Sequence, residues 1–265
     1  MALAPDILSP GQRYVPGILG GLGPLAHVHF EREVLRQSHR RGARADRDHP
    51  VWLLASASST PGRTDALLRA GERPARHLTA FARILEAAGA DALFVACNTA
   101  HAYHDEVQRA IGIPWVHLMD LVAETITGAH PSGTTVGLLA TDGTLHAGLY
   151  HRSLERRGLV PLAPAADSAI QAGVRAAIDD PTTGIKATGA EVTPAARARL
   201  LDAARWCAAQ GASVVVLGCT EVSVGLGGHA VDGATFVDPL VVAAEALLDL
   251  ASGTRAPASF RREGV

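Results

Sequence analysis

The chain has 265 residues, of which 48% are hydrophobic and 19% charged, and its formal net charge is −2. This length and composition are typical of one large or two smaller globular domains and exclude an intrinsically disordered chain. The charge balance offers no basic surface for nucleic acid or an anionic membrane, and three cysteines do not form a disulfide framework. Because no uncharged apolar run has the 18 or so residues of a membrane helix, we expect a protein of the reducing cytoplasm.

Short apolar segments alternate with longer amphipathic segments along the chain. Residues 1–13 are expected to form a loose tail. The strand candidates that follow are "VPGILGG", "VWLLASA", "ALFVACN", "PWVHLMD", "TTVGLLAT", "SVVVLGC" and "TFVDPLV". The helix candidates are residues 25–37, 76–88, 105–111, 145–157 and 194–210. This alternation predicts parallel strands that are connected by helices and covered by them on both faces.

Two pairs of segments repeat with nearly the same offset. The segments "GADALFVACNTAH" and "GASVVVLGCTEVS" each place a cysteine eight residues after the first glycine, so that Cys97 and Cys219 lie 122 residues apart. The segments "GILGGLGPL" and "GLLATDGTL" begin at Gly17 and Gly137, which lie 120 residues apart. The shared offset predicts an internal duplication, in which each half ends a strand with a cysteine.

The repeat leads to a prediction of domain organisation. Ligands of open parallel sheets bind at the carboxyl ends of the strands, and Cys97 and Cys219 both follow such ends. We expect an α/β protein with two pseudo-symmetric domains, each a parallel sheet flanked by helices, and an active site in the cleft between them. The N-terminal domain is expected to comprise residues 14–117 and 238–265, and the C-terminal domain residues 118–237.

Two cysteines on opposite faces of a carbon atom can invert a stereocentre. A strand-to-helix turn can lower the pKa of a thiol towards neutrality, which produces a thiolate that accepts a proton. A second, protonated cysteine on the opposite face then donates a proton. Because the reaction must run in both directions, two chemically equivalent residues suit it, and no cofactor is required.

The motifs resemble those of a known family. The segments "GILGGLGPLA", "ACNTAH", "LLATDGTLHAGLY", "GIKATG", "GCTEV" and "FVDPL" occur in the order and spacing of the cofactor-independent aspartate/glutamate racemases. The resemblance covers most of the chain and is closest to the aspartate racemase branch. It implies that Cys97 and Cys219 form the thiol/thiolate pair, that no cofactor takes part, and that the protein is a homodimer.

The same resemblance implies contacts to a small acidic amino acid. Arg63, in "TPGRTDALL", would hold the distal acid, although Gly62 stands where the family usually has aspartate. Lys186 of "GIKATG" would be the second cationic contact. The remaining substrate-binding residues implied by similarity are Gly21, Leu22, Gly23, Asn98, Thr99 and Thr220. Thr141 and Glu221 are expected to line the same site, where Glu221 orients Thr220 or caps the following helix and takes no part in proton transfer. Aspartate, glutamate and a sulfonate analogue all remain open as substrates.

The same motifs have other interpretations. Cys97, His101 and His104 form a C-x3-H-x2-H pattern, but no second Cys/His pair accompanies it, so we predict no metal site. The "GGLGP" turn is similar to part of a dinucleotide fingerprint, but it lacks the third glycine and Pro24 intrudes. The cysteines could also be buried, inert thiols. His27 carries no functional pattern.

The function has alternatives within and outside enzymes. Maleate isomerases, hydantoin racemases and arylmalonate decarboxylases share the architecture that the resemblance implies. The decarboxylases typically keep one of the two cysteines, so the presence of both argues against that activity. A non-catalytic acid-binding or sensor protein is the alternative from a different class.

Overall fold

A computed structural model describes residues 4–69, 71–189 and 191–262 of the chain. The chain divides into two compact units. Unit 1 comprises residues 1–66, 71–118 and 240–265, and unit 2 comprises residues 67–70 and 119–239. Unit 1 is therefore discontinuous in sequence, and its last segment follows unit 2.

The described residues up to 118 form three strands and four α-helices. The elements are β1 (Pro16–Gly20), α1 (Pro24–Arg40), β2 (Leu53–Ser56), α2 (Arg63–Leu68), α3 (Ala75–Ala87), β3 (Ala92–Val95) and α4 (His104–Gln108). The strands are parallel and lie in the order β2-β1-β3. All residues of β1 and β3 are buried, because these strands are continuous apolar runs covered on both faces.

The second part of the chain supplies four strands and the remaining helices. The elements are α5 (Leu118–Ala129), β4 (Thr135–Ala140), α6 (Asp142–His146), α7 (Leu149–Glu155), β5 (Val160–Leu162), α8 (Ala169–Asp179), α9 (Ile185–Thr188), α10 (Pro194–Ala209), β6 (Val214–Gly218), α11 (Thr220–Leu226), β7 (Thr235–Val237) and α12 (Pro239–Ser252). The strands are again parallel, in the order β5-β4-β6-β7. Residues 240–252 of α12 return to unit 1.

The two sheets repeat one topology. The order β2-β1-β3 in unit 1 matches the order β5-β4-β6 in unit 2, and β7 extends the second sheet at one edge. This match agrees with the duplicated segments, since β1 and β4 carry the first pair of repeats and β3 and β6 the second. The predicted α/β class, with parallel sheets flanked by helices, is confirmed.

Three local predictions differ from the structure. The segment "PWVHLMD" forms no named strand, because Trp115 makes only an isolated bridge to Leu93 and α5 begins at Leu118. The single helix predicted over residues 145–157 is two helices, because Gly148 has a φ of 60°. The third prediction is the loose tail over residues 1–13, of which residues 1–3 lie outside the described part. The end of this segment is held in place, because the side-chain amide of Gln12 donates to the carbonyl oxygen of Val51 and accepts from its N–H.

Within the described ranges, no helix combines the length and the apolar character needed to cross a bilayer.

Candidate active site

Three loops of unit 1 follow the carboxyl ends of adjacent parallel strands. Residues 21–23 follow β1, the loop that leads to Arg63 follows β2, and Cys97 follows β3. The Arg63 guanidinium donates hydrogen bonds to the carbonyl oxygens of Leu22 and Pro61. The structure therefore brings Arg63 against the glycine turn, two features that the resemblance assigned to substrate binding.

The Arg63 guanidinium has capacity left for a ligand. Its Nε atom is buried and has no hydrogen-bond partner among the described residues. A buried N–H without a partner is costly, and a bound anion would satisfy it. A Cβ atom built on Gly62 would stand 3.1 Å from Oδ2 of Asp65, so a carboxylate lies near this loop although Gly62 carries none.

The turn after β1 is held by a histidine that the sequence analysis did not single out. The Gly21 N–H donates a hydrogen bond of 3.0 Å to Nδ1 of buried His27 in the first turns of α1. The N–H group of Gly21, expected to bind substrate, is thus engaged by the protein itself. Because Nδ1 accepts, the neutral ring of His27 carries its proton on Nε2.

Replacing Gly21 with alanine is expected to lower the free energy of unfolding by about 3 kcal/mol. Gly21 has a φ of 80°, and an added Cβ atom would stand 2.5 Å from the backbone nitrogen of Ala57. Urea denaturation measures the change. Gly11→Ala is the matched control, because Gly11 has a φ of 79° but nothing within 4 Å of the added atom. Equal losses in the two variants would contradict the clash.

Cys97 lies in a turn that a buried histidine supports. The Cys97 side chain is 7% exposed, and Nδ1 of His101 lies 2.9 Å from its carbonyl oxygen. The indole Nε1–H of Trp115 donates to Nε2 of His101 over 3.1 Å. Since indole nitrogen only donates, Nε2 must accept, and the proton of the neutral ring sits on Nδ1, where it bonds the Cys97 carbonyl. The 3.4 Å contact of Nε2 with the Val116 carbonyl is then not a hydrogen bond.

The protonation state of His101 agrees with this geometry. Burial, together with the nearby His117 and His104, lowers the pKa of His101 to about 3. The ring is therefore neutral at physiological pH and remains a donor to Cys97. Its role is to position the cysteine turn, since it contacts the carbonyl oxygen rather than the sulfur.

His104 is occupied by protein partners as well. Its Nδ1 lies 2.7 Å from Oδ1 of Asp105 and its Nε2 lies 3.0 Å from the carbonyl oxygen of Trp115. Burial raises the pKa of Asp105, but the hydrogen bond from His104 and the charges of His104, Arg262 and His117 together outweigh it, so the pKa is lowered. The described residues contain no group of three or more His, Cys, Asp or Glu side chains arranged to hold a metal ion.

In unit 2, Cys219 is paired with a carboxylate. Cys219 is the residue before α11, is 6% exposed, and its Sγ donates to Oε2 of Glu221 over 2.9 Å. The Thr220 hydroxyl donates to the same oxygen over 3.0 Å. Glu221, which was expected to line the substrate site, thus contacts the cysteine sulfur directly.

The expectation that the turn lowers the pKa of Cys219 is wrong. Burial, followed by the negative charge of Glu221, raises this pKa well above its ordinary value, and the positive charge of Lys186 only partly opposes them. Cys219 is consequently a thiol at neutral pH. Cys207, the third cysteine, has its pKa raised to about 12 by burial in α10 and lies outside both cysteine turns.

Lys186 lies on α9, and its side chain is half exposed. Its Nζ forms an ion pair of 2.7 Å with Oδ1 of Asp179. Burial lowers the pKa of Lys186, but the interactions with Glu221, Cys219 and Asp179 together outweigh it and raise the value. The structure therefore places Lys186 in the electrostatic field of the Cys219–Glu221 pair.

The remaining predicted residues lie in the loops that follow the strands of unit 1 and of unit 2. Asn98 and Thr99 follow Cys97 and are buried. Thr141 follows β4, next to β6, and its hydroxyl caps α6 by accepting from the Thr144 N–H. Asp142 beside it forms an ion pair with Arg175, which stabilises the turn.

One buried residue near Cys219 was missed by sequence reasoning. Tyr150 is 1% exposed, and its ring lies 3.1 Å from the position of a Cβ atom on Gly218. Burial and the charges of Asp238 and Cys219 raise the pKa of Tyr150 well above its ordinary value. Its position in "HAGLYHRS" shows an ordinary core aromatic pattern, so no sequence signal distinguishes it.

Comparison with known proteins identifies the family. The profile described as Asp/Glu/Hydantoin racemase matches residues 19–247. The chain belongs to the Asp/Glu/hydantoin racemase family. The matched residues of this family member include both cysteine turns, Arg63 and Lys186.

Individual relatives agree with this membership. The family member is 30% identical over 143 residues to the broad specificity amino-acid racemase RacX of Bacillus subtilis, over 54% of this chain and 61% of that protein. Its fold is similar to that of Picrophilus torridus aspartate racemase, with a TM-score of 0.71 at 22% identity over 94% and 98% of the two chains. An aspartate racemase homologue from Pyrococcus horikoshii gives a TM-score of 0.68 at 24% identity over 91% and 100%.

Proposed function

We propose that this protein is an amino-acid racemase that interconverts the L and D forms of an acidic amino acid. Cys97 and Cys219 would exchange protons with opposite faces of Cα, without a cofactor, in a cytoplasmic homodimer. The observation that carries the proposal is the position of the two cysteines, each in the turn after the same strand of a repeated parallel sheet. Membership of a racemase family supports the reaction type.

The surroundings of Arg63 support an acidic substrate. Arg63 contacts the glycine turn, and its buried Nε has no partner among the described residues. An arginine can hold a carboxylate through two parallel hydrogen bonds, and Lys186 would add a second positive charge. Neutralising the substrate carboxylates also stabilises the carbanion that forms when the α-proton leaves.

Exchange of the α-proton in D2O, followed by proton NMR under reductant, tests the reaction and the substrate together. The amino acids are L-aspartate, L-glutamate and L-cysteate, with L-asparagine and L-glutamine as isosteric neutral controls. We expect loss of the α-proton signal and growth of the D enantiomer, with kcat/KM at least about tenfold higher for an acid than for its amide.

The other results separate the alternatives. Equal rates for acids and amides would contradict the acidic specificity and agree with a broad-specificity racemase. No exchange with any of the five would contradict amino-acid racemisation, and maleate and a 5-substituted hydantoin would then be assayed for the related isomerases. Tight binding of an acid without turnover would identify a binding or sensor protein.

A further inference from the structure

We propose that Glu221 is the proton partner of Cys219: it holds the sulfur as a thiol in the resting protein and takes that proton when Cys219 must act as a base. This inference rests on the proposed racemase function and adds a third proton-carrying group to it. Sequence reasoning gave Glu221 no part in proton transfer.

The contacts around Glu221 define its role. One carboxylate oxygen, Oε2, accepts hydrogen bonds from Sγ of Cys219 over 2.9 Å and from the hydroxyl of Thr220 over 3.0 Å. All three residues are buried, at 6% exposure each. The sulfur and the carboxylate are therefore already in hydrogen-bond contact along the path that a proton would follow.

The neighbouring charged groups suit a shared proton. Lys186 from α9 interacts electrostatically with both members of the pair, and its Nζ forms an ion pair with Asp179 at the end of α8. Tyr150 from α7 interacts electrostatically with Cys219 and with Asp238, which follows β7. The positive charge of Lys186 favours one negative charge on the pair, and the pair carries one negative charge whether the proton is on sulfur or on oxygen.

The proton transfer is balanced within the pair. The S–H bond of Cys219 breaks and an O–H bond forms on Glu221, so the carboxylate becomes neutral and the sulfur becomes a thiolate. The thiolate then takes the α-proton of the substrate, which forms an S–H bond and leaves the electron pair on Cα. Glu221 keeps its proton during this step, and no proton has to leave the pair before catalysis.

The two cysteines are therefore different in kind. In the Cys97 turn a neutral histidine bonds the carbonyl oxygen of the cysteine, whereas the Cys219 sulfur is bonded to a carboxylate. The sequence repeat predicted two equivalent thiols. The difference gives the Cys219 sulfur a carboxylate that accepts its S–H proton in a hydrogen bond before substrate binds.

NMR of cysteine labelled with 13C at Cβ tests the pair without any substrate. In the Cys97→Ser, Cys207→Ala background a single resonance reports the ionisation of Cys219. We expect Glu221→Gln to lower its midpoint by at least about one pH unit, a tenfold change, because the negative charge that opposes the thiolate is gone. Glu155→Gln is the control, since Glu155 is an exposed carboxylate on α7 of the same unit, and it should leave the midpoint unchanged.

An unchanged or higher midpoint for Cys219 in the Glu221→Gln variant would overturn the inference. Circular dichroism of each variant ensures that folded proteins are compared. The pH profile of kcat/KM in the protein with all three cysteines gives a second readout. Its alkaline limb is expected to move to lower pH in Glu221→Gln and to be restored in Glu221→Asp. A shifted NMR midpoint in a protein that racemises nothing would keep the pair and reject the proposed function. Racemisation by a protein whose Cys219 midpoint is not shifted by Glu221→Gln would keep the proposed function and reject the pair.

Discussion

Replacing either Cys97 or Cys219 with serine is expected to lower kcat/KM for racemisation at least about a thousandfold. A serine hydroxyl keeps the shape of the side chain, but it is a far weaker acid than a thiol and supplies almost no base at neutral pH. Chiral chromatography of reactions that start from each enantiomer measures both directions. Because the equilibrium constant of a racemisation is unity, each single variant must lose the same factor of kcat/KM in the two directions.

Cys207→Ala is the matched control for this experiment. Cys207 is a buried thiol on α10, packed against β4 and away from both cysteine turns, so its loss should leave kcat/KM within about twofold. Retention of most activity in the Cys97→Ser or Cys219→Ser variant would contradict the two-thiol proposal. Loss of activity in only one of these two variants would indicate a mechanism with one essential cysteine.

The second large effect concerns stability in acid. The pKa of His101 is about 3 in the folded protein, as against 6.5 for the ordinary residue. Between these values the unfolded chain binds a proton that the folded protein excludes, so the free energy of unfolding falls as the pH falls from about 6.5 to about 3. The shift corresponds to a loss of the order of 5 kcal/mol from this single residue. Urea denaturation at closely spaced pH values measures the slope.

His101→Gln is the variant that isolates this effect. Glutamine can donate to the Cys97 carbonyl and accept from Trp115, but it does not titrate, so the loss of stability over this range should be clearly smaller. His229→Gln is the control, because His229 is exposed and should leave the slope unaltered. An equally steep slope in His101→Gln would show that other groups cause the acid sensitivity.

Much of the fold could be predicted because its central strands are continuous buried runs. The segments that contain β1, β3, β4 and β6 were all predicted as strands. The apolar segment around Trp115 was misread, since a short buried run looks the same in sequence whether it forms a strand or only one bridge before a helix. The break at Gly148 was missed, because a glycine within a helical pattern does not reveal its own φ.

The parts of the candidate site that depend only on the order of strands and helices along the chain could be predicted from the sequence. The repeat placed Cys97 and Cys219 after equivalent strands, and that placement needs only the alternation of elements. The bond from Cys219 to Glu221 depends on side-chain direction within one turn, which spacing does not give. The two bonds of His101 likewise bring residues 97 and 115 to one ring, a tertiary arrangement that no local pattern reports.

The discontinuity of unit 1 has a consequence for synthesis on the ribosome. Strand β1 is made early, but the residues that complete its unit begin at Leu240. Arg41 pairs with Asp249, and the backbone N–H of Arg13 bonds the carbonyl of Ala251, so these contacts cannot form until α12 has emerged. Residues 119–239 of unit 2 are thus synthesised before the segment from residue 240 that completes unit 1, although all three strands of the sheet in unit 1 are made earlier.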